Sequence, residues 1–236
     1  MRKPEKNVSE LVEELTYAEK VERALSLIEE AYEEYGDNLV VANSLGKDSA
    51  VVWDLAKKVN KDIRGFIIST RFFPEETKKF MQEEVEHYPE LEIYSNDQAI
   101  PDNLYDIDPD KCCELLKVKP TGEALEELNA DCWITGLRCT EGRTRTDYLE
   151  IEEKDRGLIK LNPILIWKER EVWQYLALNN VRVNPLYAEG YRSLGCAPCT
   201  DIVNDSNERA GRWNGTSKCG GECGIHTKSL KKVANK

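Results

Sequence analysis

The chain has 236 residues, enough to bury one sizeable core, and its 44 acidic against 33 basic side chains leave a net charge of −11. That balance argues against nucleic acid as the main partner, and an anionic small ligand would have to be met by a local group of arginines and lysines working against the global field. MRKPEKNVSELVEELTYAEK contains no apolar run of signal-peptide length and no segment reaches the length of a membrane span, so the expectation is a cytoplasmic protein with no membrane partner. Eight cysteines in a compartment that keeps thiols reduced point to metal binding or catalysis rather than to disulfides.

Leu11, Leu15, Ala18, Val21, Ala24, Leu25, Leu27 and Ile28 recur at helical spacing through residues 8–35, and Gly36 stands where that helix should stop. Leu39, Val40 and Val41 then make a short buried strand, Asn43 to Lys47 a turn, and a helix follows from Asp48. The plan repeats with a strand at 63–70, the loop RFFPE and a helix at 75–87; further strands are expected at 91–95 and 133–137. Strands alternating with helices predict an α/β fold with a mostly parallel sheet covered on both faces, whose sites lie at the C-terminal ends of the strands. Beyond residue 160 the pattern becomes loop-rich around one helix at 168–180. Gly211, Gly215, Gly220, Gly221 and Gly224 predict a flexible C-terminal tail, giving a domain at 1–205 followed by a tail at 206–236.

SLGKDS, residues 44–49, follows a strand and opens a helix, where outward N–H groups and the helix dipole favour an anion. Ser44 and Ser49 would add donors, Gly46 close approach and Lys47 charge; an ordinary turn with Ser and Asp capping the helix is the alternative. The GxxxxGK[ST] spacing and the Rossmann glycines are both missing. The loop resembles the modified phosphate loop of the ATP-pyrophosphatase superfamily, SGGKDS, with Leu45 in place of the first glycine.

Cys112-Cys113 and Cys196-Ala-Pro-Cys199 bring four thiols from two separated segments. Such a set closes either a tetrahedral zinc site or an iron–sulfur cluster, and adjacent cysteines suit a cluster better because each can ligate a different iron. Residues 111–145 and 161–200, with CCELLKVKP, WITGLR and NPLYAEGYRSLGCAPCT, closely resemble the cluster-bearing branch of the adenylyl-sulfate and phosphoadenylyl-sulfate reductase family. The resemblance runs from about residue 38 to 226. It implies an adenine-nucleotide α-hydrolase-like fold and a [4Fe-4S] cluster held by Cys112, Cys113, Cys196 and Cys199.

Arg138, Arg143 and Arg145 follow the WITGL strand, and Arg209 and Arg212 lie in ERAGRW; guanidinium forks suit phosphate and sulfate. By the resemblance, Ser44, Ser49, Lys117, Arg209 and Arg212 contact the nucleotide, with Gly46, Lys47, Arg138 and Arg143 as further candidates for the substrate site. If 112–117 is helical, Lys117 shares a face with Cys113 and would sit between cluster and substrate. KCGGECGIH matches the family's E-C-G-L-H tail, which makes Cys223 the nucleophile. A thiolate suits attack on a sulfuryl sulfur. The implied reaction leaves an S-sulfocysteine and AMP, after which thioredoxin or glutaredoxin frees sulfite; a homo-oligomer is the expected assembly. Ser69 and Arg71 depart from the family's D-T-G pattern, and Arg71 or Lys47 is a candidate for a 3′-phosphate should the substrate carry one. Cys132, Cys139 and Cys219 fall outside the pattern, Cys219 lying near enough to Cys223 for a transient internal disulfide. The rival readings are a phosphoadenylyl-sulfate reductase, a tRNA sulfurtransferase of the ATP-pyrophosphatase type and a zinc-binding module without catalysis.

Overall fold

The computed structural model describes residues 8–142, 145, 147–205, 207–214, 218 and 224–226. Among them runs a six-stranded sheet, β1 (Leu39–Ala42), β2 (Arg64–Ile68), β3 (Leu91–Tyr94), β4 (Cys132–Ile134), β5 (Ile151–Glu153) and β6 (Ile159–Leu161), in the spatial order β3-β2-β1-β4-β6-β5. Every neighbouring pair is parallel except β5 with β6. The expected strands at 63–70, 91–95 and 133–137 correspond to β2, β3 and β4, whereas β5 and β6 have no counterpart among the expectations.

The two-residue period of the strands sorts side chains between two cores. Leu39, Val41, Ile67, Cys132, Ile134 and Leu161 face one side, joined there by Ile28 of α2 (Tyr17–Tyr35), Val52 and Leu55 of α3 (Lys47–Val59), and Val172 of α8 (Glu169–Leu178). Val40, Phe66 and Trp133 face the other, under Ala124 and Leu125 of α7 (Lys119–Glu127). Fully burying side chains of this size contributes roughly 1.5–3 kcal/mol each. Helices on both faces are what the parallel pairing requires.

The single helix expected over 8–35 is two helices. A short one at Val8–Glu14 ends before Thr16, whose backbone N–H donates to Glu19 Oε2 at 2.8 Å while its hydroxyl accepts from Glu19 N–H, a capping box that restarts the chain as α2. The buried Lys20 ammonium ties the two together and to α8, donating to Val12 O and to both Glu171 oxygens at 2.9 Å. Residues 75–87 form a helix over the whole expected range.

Strand order reverses between β1 and β4, so the loops after these strands diverge and leave a crevice at their C-terminal ends. Gly136 brings them together: a Cβ there would stand 2.7 Å from backbone atoms of Asp48 and Ser49. The tail expected at 206–236 falls largely outside the described residues; of those that are described, Glu208, Arg212 and Trp213 are buried.

Candidate active site

The crevice is a cavity of about 200 Å³. Its floor is the phosphate loop, with Ser44, Gly46, Lys47 and Ser49 all on its wall. Leu45, where the superfamily loop has glycine, takes the left-handed conformation with φ 61° and is only 2% exposed, so burial in the core offsets the backbone strain. The loop satisfies its own donors: Ser44 N–H and hydroxyl both lie 3.1 Å from Ser49 Oγ, and Leu45 N–H donates to Asn43 Oδ1 at 2.9 Å. One side of the cavity is apolar, built from Phe66, Ile68 and Trp133, with Ile225 of the tail beside them. Lys117, Arg145, Arg209 and Arg212 also line the cavity.

Lys47 and Arg138 are engaged elsewhere. Lys47 is 1% exposed and its ammonium contacts Asp48 Oδ2 at 3.1 Å and Glu208 Oε2 at 2.9 Å. Arg138 is 0% exposed; it donates to Asp48 at 2.6 Å, Thr140 at 3.0 Å and Glu208 at 2.5 Å, and it is not on the cavity wall. Burial works against both cations, yet Asp48 and Glu208 hold their pKa values above the ordinary ones. Two cations and two carboxylates thus close a buried network that joins the phosphate loop, the loop after β4 and the segment carrying Arg209 and Arg212. Glu141 forms a second such knot with Arg145 and Arg209; burial opposes its charge, but the two guanidiniums keep its carboxyl well below the usual range. Neither Glu208 nor Glu141 was singled out by the sequence reasoning; ERAGRW offered the signal for the first, a carboxylate beside the two arginines expected to meet an anion. Arg71 donates to Ile100 O at 3.1 Å and faces a separate open cleft with Lys78 and Lys79. Arg143, Cys219 and Cys223 lie outside the described residues.

The four expected thiols come together. Cys112, Cys113, Cys196 and Cys199 are all buried and line one small cavity with Phe72, Tyr105, Lys117, Arg212 and Trp213. Cys112 and Cys113 end the helix α6 (Pro109–Cys113), and Lys117 lies in the five-residue π-helical turn Glu114–Val118 that leads into α7, so the segment is helical with a wider turn at Lys117. Thr70 Oγ1 is 3.3 Å from Cys196 Sγ. Burial, together with Cys113, Cys196 and Cys199, pushes the Cys112 thiol up to about 12; burial and Cys196 push Cys199 up to about 11, while Lys117 and Arg212 pull it down. Among the described residues no three His, Cys, Asp or Glu side chains close around a single metal ion.

Lys117, Arg212 and Trp213 belong to the walls of both cavities. Arg212 is locked in place by a backbone bridge to Thr200, one residue past Cys199, and Trp213 N–H donates to Cys199 O at 2.9 Å. The Trp213 ring is buried with Arg212, Lys218 and Arg209 at 4.6, 5.5 and 5.6 Å from its centroid. Beyond Cys223 the chain is described again at Gly224–His226. His226 stacks on Trp133 at 6.2 Å, lines the crevice cavity, and finds no partner for Nδ1 among the described residues. Burial first, then Lys160, Arg145 and Arg209, drive its pKa well below the ordinary value. The tail match ECGIH held the signal for this residue, which the sequence reasoning passed over.

Comparison with known proteins agrees with this geometry. Residues 38–202 match the phosphoadenosine phosphosulfate reductase domain. The chain is 37% identical over 215 residues to adenosine 5′-phosphosulfate reductase 1 of Bacillus subtilis (strain 168), covering 86% of this chain and 90% of that one. It is 36% identical over 226 residues to the adenosine 5′-phosphosulfate reductase of Halalkalibacterium halodurans, covering 91% and 96%. The fold is similar to a crystal structure of phosphoadenylyl-sulfate reductase from Candida auris, with a TM-score of 0.66, 23% identity, and 86% and 99% of the two chains covered. FMN adenylyltransferase of Candida glabrata shares the fold at a TM-score of 0.62 and 17% identity, over 85% of this chain and 72% of that one. With a domain match spanning most of the chain and relatives of this identity over nearly their whole length, the chain belongs to the phosphoadenosine phosphosulfate reductase family.

Proposed function

We propose that the chain reduces adenosine 5′-phosphosulfate to sulfite and AMP, with Cys223 as nucleophile. The observation that carries this is the shared wall: Lys117, Arg212 and Trp213 stand between a cationic, partly apolar cavity and a nest of four buried thiols. The phosphate loop and the arginines suit the phosphosulfate, and the apolar side formed by Phe66, Ile68 and Trp133 suits the adenine.

The Cys223 thiolate attacks the sulfuryl sulfur. A new S–S bond forms, the S–O bond to the phosphate breaks, and AMP departs with the electron pair on its phosphate oxygen. Lys117, Arg209 and Arg212 hold that developing charge. A dithiol partner then attacks Sγ of the S-sulfocysteine, and sulfite leaves with the pair from the S–S bond. The partner's second thiol attacks the mixed disulfide and frees Cys223, so the two electrons come from the partner, thioredoxin or glutaredoxin. Ile225 and His226 line the cavity, which supports a reacting Cys223 at its mouth.

Cys112, Cys113, Cys196 and Cys199 would hold a [4Fe-4S] cluster. Four buried thiols, with those of Cys112 and Cys199 pushed up by burial and by their cysteine neighbours, fit a group able to neutralise several thiolates at once, and a donor set without carboxylate or imidazole is soft enough for iron–sulfur ligation. When bound, the cluster would supply local charge and rigidity; Lys117 and Arg212 line the same small cavity as its four thiols. The net charge of −11 speaks against a tRNA substrate. Among the described residues no helix is long and apolar enough to cross a membrane, which is consistent with a cytoplasmic enzyme.

The test is anaerobic purification with iron and sulfide analysis, paired with sulfite release from adenylyl sulfate and from its 3′-phosphorylated form. Iron and sulfide in cluster proportion with faster release from adenylyl sulfate supports the reading. Faster release from the 3′-phosphorylated nucleotide would transfer it to the sister activity, and release from neither would end it.

A further inference from the structure

We propose that the hydroxyl of Tyr187 binds the substrate: it accepts the Lys47 N–H at the start of α3 and donates its own proton to an anionic oxygen of the bound nucleotide. The inference rests on the nucleotide reading of the cavity and adds a residue that the motifs do not supply.

Helix N-termini leave backbone donors without partners, and the N-cap of α3 is Gly46, which has no side chain to satisfy them. Tyr187, 140 residues away, takes that place, accepting the Lys47 N–H at 2.8 Å. Gly46 leaves room for it, since a Cβ there would lie 3.3 Å from the phenol oxygen. The ring is held independently of the loop. Its edge meets Trp173 of α8 with centroids 5.2 Å apart, and it rides on the turn Pro185–Glu189. That turn is pinned by Asn184, which accepts from Leu186 N–H and donates to Thr77, each at 3.1 Å.

The hydroxyl therefore has one face occupied and one free. Among the described residues its proton finds no acceptor, and the side chain forms part of the cavity wall beside Ser44 and Ser49. Burial keeps the phenol protonated far above neutral pH, so it stays a donor. An O–H whose oxygen accepts a peptide N–H is polarised into a stronger donor. The arrangement carries the positive end of α3 outward by one oxygen atom, to where an anion in the cavity can meet it.

Isothermal titration of the cluster-loaded enzyme with AMP, together with turnover of adenylyl sulfate, tests this in the wild type, in Tyr187→Phe, and in protein carrying 3-fluorotyrosine at position 187. The Phe variant keeps the ring and loses the hydroxyl, both as donor to the nucleotide and as acceptor of the Lys47 N–H. Loss of the Lys47 N–H acceptor should lower its melting temperature by only about 2–4 °C, AMP should bind about 10–100-fold more weakly, and KM for adenylyl sulfate should rise more than kcat falls. Fluorotyrosine, a stronger donor of nearly the same shape, should tighten AMP binding. Unchanged or tighter AMP binding by Tyr187→Phe overturns the proposal, because it means the hydroxyl only caps the helix or competes with the nucleotide. If Tyr187→Phe does not fold, fluorotyrosine protein that binds AMP no better than wild type overturns it. A wild-type enzyme that neither binds AMP nor turns over adenylyl sulfate defeats the nucleotide reading itself, and this inference with it.

Discussion

Arg138 Nε donates to Asp48 Oδ1 at 2.6 Å across 90 residues of sequence, joining the loop after β4 to the first turn of α3. The same guanidinium reaches Glu208 at 2.5 Å, so one buried side chain fixes the phosphate loop against the arginine-bearing segment. Replacing it with leucine leaves the buried Glu208 and the mostly buried Asp48 carboxylates facing Lys47 alone. Breaking a buried charge network from one side costs about 3–5 kcal/mol, and Arg138→Leu should lower the melting temperature by roughly 10 °C. Lys78→Ala, which removes a solvent-exposed pair with Glu75, should change stability by less than about 0.5 kcal/mol. Equal effects from the two substitutions in a thermal scan would contradict the role given to Arg138.

Lys117, like Arg212, lines both cavities, and Lys117→Gln should slow turnover while leaving iron content unchanged. The loss of one charge-assisted contact in a buried site predicts a drop of about 10–100-fold in kcat/KM. Steady-state kinetics beside iron analysis checks it. Lost iron with normal turnover per remaining cluster would make the residue a support for the thiol nest only.

Leu45 reverses the usual ranking of glycine and alanine. Leu45→Ala removes core burial, at a cost of about 2–5 kcal/mol, and keeps the strained φ of 61°. Leu45→Gly loses the same burial but relieves about 1–2 kcal/mol of strain. The glycine variant should therefore be at least as stable as the alanine variant in a denaturant titration, and a clearly less stable glycine variant would contradict the assignment of strain.

His226 gives the tail a pH dependence of predictable sign. Its folded pKa is depressed by burial, Lys160, Arg145 and Arg209, against the single opposing charge of Glu141. Above the unfolded value of about 6.5 the ring is neutral in both states and the stabilisation is complete. As pH falls below that value the unfolded chain gains a proton that the folded one resists, and stability declines. Wild type should lose more stability than His226→Asn between about pH 7.5 and 5.5, measured by paired thermal scans. Parallel losses would mean that the ring is solvated.

How far the sequence could be read depended on how local each signal was. Strands β1 and β2 and the helix at 75–87 announce themselves because apolar runs and periodicity lie within a few adjacent residues. Strands β5 and β6 are three residues each, and β6 buries a lysine: Lys160 pairs with Glu152 at 3.0 Å and lies over Tyr148, a partnership no local pattern reveals. The four thiols were legible as a set because sulfur is scarce and its spacing distinctive. Lys47 and Arg138 could be singled out because charge is visible in sequence, whereas the carboxylates that pair with them are set by tertiary packing. Tyr187 was hidden for the same reason, since nothing near it in sequence indicates that its hydroxyl meets a helix 140 residues away.

The most direct test is mass spectrometry of peptides from enzyme incubated with adenylyl sulfate and no thiol donor. The account predicts a sulfonate on Cys223 that disappears, with release of sulfite, when a reduced dithiol protein is added. A sulfonate on Cys219 instead, or on no cysteine while sulfite is still produced, would contradict it.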